Sequence, residues 1–220
     1  MFRVLLTPLV IALAIAPAAA KDKDKWSGGA RPKIAAKAPP VTTFKSKYAK
    51  GTVIVDTKRR RLLYVLSKTK AYIYPVSVGR QGFQWSGTQR ISAVKNWPTW
   101  RPPAEMRLRK PKLPIVMSGG VNNPLGAKAL YLGSTLYRIH GTSNTAGLGS
   151  ANSSGCIRMH NAHVTHLSRI ARVGTKVVVL KALPKKLAKT LTGTSLPQKI
   201  AYAKKKKKKN LAWRRSILSN

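Results

Sequence analysis

Acidic side chains are almost missing from this 220-residue sequence. Asp22, Asp24, Asp56 and Glu105 stand against 43 Lys and Arg, a formal net charge of +39. That shortage excludes chemistry run by paired carboxylates, such as glycan cleavage, which needs two acids flanking one bond. Glu105 sits among Pro102, Pro103, Met106 and Arg107, and Asp56 closes a strand-like run. Cysteine is nearly missing too, with Cys156 alone. No internal disulfide can form, so its thiol is a buried small side chain, half of an intermolecular pair, or a reactive group. After Ala20 no apolar run approaches the roughly 20 residues of a spanning helix. Metal ligands are also scarce. His160, His163 and His166 recur every three residues, a spacing that drifts around a helix, and no acid or second cysteine supports them. No metal and no cofactor are expected.

What is present begins with a targeting pattern. Arg3, an apolar stretch from Val4 to Ala16 and the small-residue exit Pro17-Ala18-Ala19-Ala20 predict a secretory signal peptide over residues 1–20. The expected compartment is the periplasm or cell envelope. Nucleic acid, the usual partner of so basic a chain, is therefore not expected, nor is a membrane span after cleavage. Anionic envelope polymers, phospholipid headgroups and the carboxylates of wall peptides are the expected counter-charges.

Residues 21–50, rich in Lys, Ala and Pro with the pair Pro39-Pro40, predict an extended spacer. Residues 51–180 carry the strand patterns and are the expected catalytic domain. These are Thr52–Val55, a hairpin of Leu62–Leu66 and Tyr72–Val78, then Ala129–Leu132, Leu136–Ile139 and Lys176–Leu180. Gly79, Gly82 and Gly87 read as chain breaks, and the prolines of Trp97–Pro103 as loop. One helix is predicted from Val164, Leu167, Ile170 and Ala171, with Asn161 as N-cap and Gly174 as stop. Residues 181–220 form a basic tail with the block Lys204–Lys209 and a short helical stretch near Lys185–Leu191. The tail is a candidate for binding an anionic envelope surface. The expected fold class is mainly β, with one supporting helix.

His140 ends a strand and enters a glycine-bearing loop, and Cys156 follows that loop just before the helix. A neutral thiol attacks a carbonyl poorly, so a working cysteine needs an imidazole close by. Gly155 permits a tight turn that exposes sulfur and aims backbone N–H groups inward, where they would stabilise an oxyanion. Arg158 supplies a fixed cation suited to a substrate carboxylate. From spacing alone, catalysis and a buried structural cysteine remain equal alternatives.

The stretch His140-Gly141-Thr142, Gly149, Ser153, Gly155-Cys156-Ile157-Arg158-Met159 and Asn161 resembles the L,D-transpeptidase catalytic domain, or YkuD domain. So do Trp97–Met106, Asn123–Leu130 and Val173–Val177. The resemblance implies a β-sandwich or mixed sheet. It also implies a cysteine enzyme acting on peptidoglycan stem tetrapeptides through a thioester and forming 3→3 crosslinks. Cys156 would be nucleophile, and His140 base and then acid, its ring held by the carbonyl of Gly141. Arg158, Ser153 and Ser154 would contact substrate, and the backbone N–H groups of Gly155 and Cys156 would be the oxyanion donors. Water or an envelope-protein amine as acceptor, and a non-catalytic basic wall-binding module, are the competing readings. Three departures from the family pattern stand out: Ser154 where many members have His, Asn161-Ala162-His163-Val164 opening the helix, and Gln84-Trp85-Ser86-Gly87-Thr88 in place of the usual substrate-side loop.

Overall fold

The computed structural model describes residues 27–191. The expected signal peptide, the first residues of the spacer and the Lys204–Lys209 block lie outside them. Eleven strands are present among the described residues: β1 Val41–Thr43, β2 Val53–Asp56, β3 Arg61–Val65, β4 Lys70–Pro75, β5 Val78–Gly79, β6 Gly87–Asn96, β7 Lys128–Leu132, β8 Arg138–His140, β9 Ala151–Ser153, β10 Ile157–Arg158 and β11 Lys176–Leu180. The helices are α1 Ala104–Arg109, α2 Asn161–Ile170 and α3 Lys185–Lys189.

Nine strands form one mixed sheet in the order β1-β4-β3-β2-β11-β6-β7-β8-β10, and β5 and β9 pair separately. The long strand β6 joins the two halves of the sheet. Its first residues pair with β11 and its last with β7, with a register shift between Ile91 and Ala93. Such a bulge bends a strand and increases its twist. Sequence reading took Gly87 as a break and missed β6. The reason is physical: only Ile91 of its ten residues is buried, so the strand carries no alternating signal.

Both faces of the β1–β4 half are covered. Val53, Val55, Leu62 and Tyr74 point into the main core, which continues through Leu130, Ile139, Ile157, Met159, Val164 and Leu167. Their neighbours in sequence, Ile54, Leu63, Val65, Ala71 and Ile73, point the other way into a second core, as alternation along a strand requires. That second core is closed by Phe44 and Leu183, with Tyr48, Leu187 and Leu191 packed against it. The structure thus corrects the expectation for part of the spacer, while the short helix expected near Lys185–Leu191 is present as α3. Residues 41–43 are a strand on β4, Phe44 is fully buried, and α3 is a packed helix. Lysine and proline content masked these few apolar anchors, each contributing roughly 1.5–3 kcal/mol when fully buried.

Helix α2 runs along the main core with Val164 and Leu167 buried. Its N-cap is His160, whose Nδ1 accepts from the Ala162 N–H at 3.2 Å, and not Asn161. Asn161 instead turns its side chain to the backbone of Ala127 and Thr142. Among the described residues no helix is long and apolar enough to cross a membrane.

Candidate active site

Strands β8 and β10 lie side by side and parallel, with Ile139 opposite Ile157 and His140 opposite Arg158. Ile139 and Ile157 are buried in the main core, which fixes both strands. His140 is therefore presented at the end of β8, and Cys156 just before β10 starts. The intervening loop is braced by side chains from outside and within it. Ser77 Oγ and Asn152 Nδ2 both donate to the Gly147 carbonyl, at 2.8 and 3.3 Å.

Gly155 turns the chain into Cys156 with φ +103°, a conformation that a residue with a Cβ adopts only under strain. A Cβ there would also stand 2.5 Å from Tyr137 Cε1. That ring cannot yield easily, because it stacks on Trp85 at 4.4 Å between centroids and 6° between planes. Trp85 Nε1–H donates to the Gly155 carbonyl at 2.8 Å, closing the clamp. Trp85 belongs to the segment that departs from the family pattern, and here it holds the turn.

His140 is 4% exposed. Its Nδ1 lies 2.7 Å from the Gly141 carbonyl. A carbonyl oxygen only accepts, so Nδ1 carries the proton, and in the neutral ring Nε2 keeps its lone pair. Burial pushes the imidazole pKa down to about 4, opposed by the Gly141 carbonyl and reinforced by the charges of Arg158 and Arg138. Cys156 is a half-buried free thiol whose S–H donates to the Leu136 carbonyl at 3.7 Å. Burial pushes its pKa up, while the backbone amide and guanidinium of Arg138, and then Arg158, pull the other way. At neutral pH the two groups are thus a thiol and a neutral imidazole, each poised to exchange charge when a proton moves.

Arg138 was missed by sequence reading. Its guanidinium donates to Leu136 O at 3.0 Å, the same oxygen that accepts the thiol. The signal was available, because residues i and i+2 of a strand share a face and His140 is two residues on. Arg158 donates to Asn152 Oδ1 and is half-buried, with its Nε buried and unpartnered.

Two expected contacts are placed differently. Ser153 is 8% exposed, and its hydroxyl donates to Cys156 O at 2.6 Å while accepting from the Gly155 N–H at 3.2 Å. It therefore braces the turn and is not open to substrate here. The same bond engages the Gly155 N–H, one of the two expected oxyanion donors. Ser154 accepts from Arg80 at 3.2 Å, and the Arg80 guanidinium covers the Phe83 ring at 3.9 Å.

Asn161 ties the site together. Its Oδ1 accepts from the N–H groups of Ala127 and Thr142, both at 3.0 Å, and its Nδ2 donates to Thr142 O at 3.0 Å. A Cβ on Gly141 would fall 2.0 Å from that oxygen, so only glycine permits this approach. His163, a potential cation against the positive end of α2, is neutral instead. Burial, then the charges of His160, Lys37 and His166, push it down to about 4. The three helix histidines form an aromatic array. His166 Nδ1 meets the Tyr74 hydroxyl at 2.9 Å, and His163 stands edge-on to Tyr74.

With this geometry in place, comparison with known proteins is informative. The profile of the L,D-transpeptidase catalytic domain, YkuD, matches residues 50–179. A probable L,D-transpeptidase, YbiS, of Escherichia coli is 35% identical over 135 residues, 58% of this chain and 43% of its own length. A putative L,D-transpeptidase, YkuD, of Bacillus subtilis is 50% identical over 56 residues, 26% of this chain and 34% of its own. A solved chain from Brucella melitensis, described as a probable carnitine operon oxidoreductase, is 41% identical over 66% of this chain and 94% of its own, with a TM-score of 0.45. That description applies to the Brucella protein alone. The present chain spans less than half the length of the first curated relatives it matches. The profile match covers more than half of the 220 residues and includes every site residue above, and the chain belongs to the L,D-transpeptidase catalytic domain family.

Proposed function

We propose that the chain is an exported peptidoglycan L,D-transpeptidase working through a thioester on Cys156 and forming 3→3 crosslinks. The observation that carries this reading is the His140 Nδ1–Gly141 O bond of 2.7 Å. It sets the tautomer that leaves Nε2 basic without a carboxylate, since neither acid among the described residues, Asp56 or Glu105, bonds His140. The thiol proton passes to His140 as sulfur attacks the carbonyl carbon after the third stem residue. The tetrahedral intermediate then collapses, the C–N bond breaks, and the D-alanine amine leaves with the proton from His140. An acceptor amine reverses the sequence, giving its proton to His140 and releasing the thiol.

The Cys156 N–H makes no hydrogen bond among the described residues, which suits it to the oxyanion. The Gly155 N–H would join it only on leaving Ser153. Arg158, with an unpartnered buried Nε, suits a substrate carboxylate. Arg80, joined to Ser154, extends that positive rim.

The test is product analysis. Purified chain given disaccharide-tetrapeptides is expected to yield crosslinked dimers lacking one D-alanine, and a carbapenem to leave one adduct on Cys156. Equal dimer formation by Cys156→Ala would overturn the proposal. Tripeptide products without dimers would assign water as acceptor.

A further inference from the structure

Away from Cys156 lies a second concavity, and it too is built for charge. The strap formed by residues 27–40 crosses the domain. Arg31 Nε–H donates to Gly119 O at 2.9 Å, and the Lys37 N–H to Ala162 O at 3.0 Å. Between this strap, the paired ends of β6 and β7 and helix α2 is a cleft of about 320 Å³. Arg31 and Lys33 line it from the strap, Lys128 from the start of β7 and Arg169 from the last turn of α2.

Among the described residues no acid lines this cleft. Asp56 is fully buried and paired with Arg59 and Arg61, and Glu105 lies on α1. Four cations around one small concavity repel one another. The effect is visible at Lys128, whose ammonium is pushed down by burial and by Arg169.

Two independent features mark the same place. Trp97, which lines the cleft, holds φ +38°, one of two non-glycine residues with positive φ among the described residues. Strain of that kind persists only where surrounding structure enforces it, and it gathers at ligand sites. Its N–H is pinned to Ala127 O at 2.8 Å. Thr165, also part of the lining, is 5% exposed and its hydroxyl has no hydrogen-bond partner among the described residues, an exception for a buried polar group that calls for an explanation.

We propose that this cleft binds a phosphate group, carried by a ligand about the size of a glycerol phosphate. A planar carboxylate is satisfied by a single guanidinium fork. Guanidinium- and ammonium-bearing residues drawn from three separate elements suit the divergent oxygens and double charge of a phosphate. None of Cys156, His140, Gly155 and Arg158 lines this cleft, and the two places meet through backbone, where Asn161 Oδ1 accepts from the Ala127 N–H. A soluble phosphate ester and an anionic lipid headgroup present the same chemistry.

The test uses the full chain, labelled with 15N and titrated with glycerol 3-phosphate, with glycerol as the neutral control. Saturable binding with amide shifts at Lys128, Thr165 and Arg169 is expected. It should weaken at least about tenfold in the double variant Lys33→Gln/Arg169→Gln. Both residues are exposed, so the fold is retained, and Lys206→Gln in the polybasic block is expected to change nothing. Vesicles of phosphatidylglycerol and of phosphatidylcholine separate the sources. Vesicle binding that falls in the double variant assigns a lipid headgroup, and vesicle binding indifferent to it assigns a soluble ester. Non-saturable titration, shifts spread over the whole basic surface, or an unchanged affinity in the double variant would overturn the proposal.

Discussion

Acid should destabilise this fold through its buried histidines, and the sign and size follow from their environment. His140 and His163 are pushed from 6.5 down to about 4. Above pH 6.5 both are neutral whether the chain is folded or not, so they contribute no pH dependence. As pH falls through 6.5 the unfolded chain takes up protons that the folded chain refuses, and stability drops until about pH 4. Between pH 7.5 and 5.0 that linkage amounts to about 2 kcal/mol per histidine. For His163 this is an upper bound, because part of its shift comes from the positive neighbours His160, Lys37 and His166, which salt screens. The assay is guanidinium chloride unfolding followed by tryptophan fluorescence at the two pH values. The denaturant salt suppresses general charge repulsion and leaves the buried groups to dominate. Wild type is expected to lose up to about 4 kcal/mol, and His163→Gln up to about 2 kcal/mol less than that. Equal losses in the two proteins, or none in either, would refute the reasoning.

Gly155→Ala should lower stability by about 2–4 kcal/mol, from backbone strain plus overpacking against the clamped Tyr137 ring, and slow carbapenem acylation. A thermal midpoint and acylation rate equal to wild type would count against the clamp. Asn161→Ala leaves the Ala127 and Thr142 amides without their acceptor and should cost about 2–5 kcal/mol by denaturant midpoint. Arg138→Gln removes a cation that favours the thiolate, so the pH at which Cys156 alkylates with iodoacetamide should move up. A profile that stays put or moves down would dismiss Arg138 from the site.

Much of the site was legible because it is local. His140-Gly141-Thr142 and Gly155-Cys156-Ile157-Arg158 are short runs whose glycines and strand residues specify their own turns and pairings, and the structure sets them on adjacent parallel strands. What escaped reading depends on partners distant in sequence. Asn161 looked like a cap because its type favours caps, yet its side chain is claimed by backbone groups 34 and 19 residues away. Ser153 is drawn into the turn by Gly155 and Cys156. Trp85 reaches Gly155 across 70 positions, and nothing near it in sequence announces that. The strand β6 was invisible for the opposite reason, since its residues pair through backbone while hiding almost no side chain.

The two-sided burial of the β1–β4 half separates two units that usually coincide. The part of the chain shared with relatives is residues 50–179, but the part that must fold together is longer. Cutting at those limits would remove Phe44, Leu183, Leu187 and Leu191 and leave Ile54, Leu63 and Ile73 as an oily face on a sheet whose edge strand β4 had also lost its β1 neighbour. An exposed edge beside exposed apolar surface invites strand addition from a second molecule. The minimal soluble enzyme is therefore set by the second core, and a fragment trimmed to the homologous region should aggregate before its chemistry can be assayed.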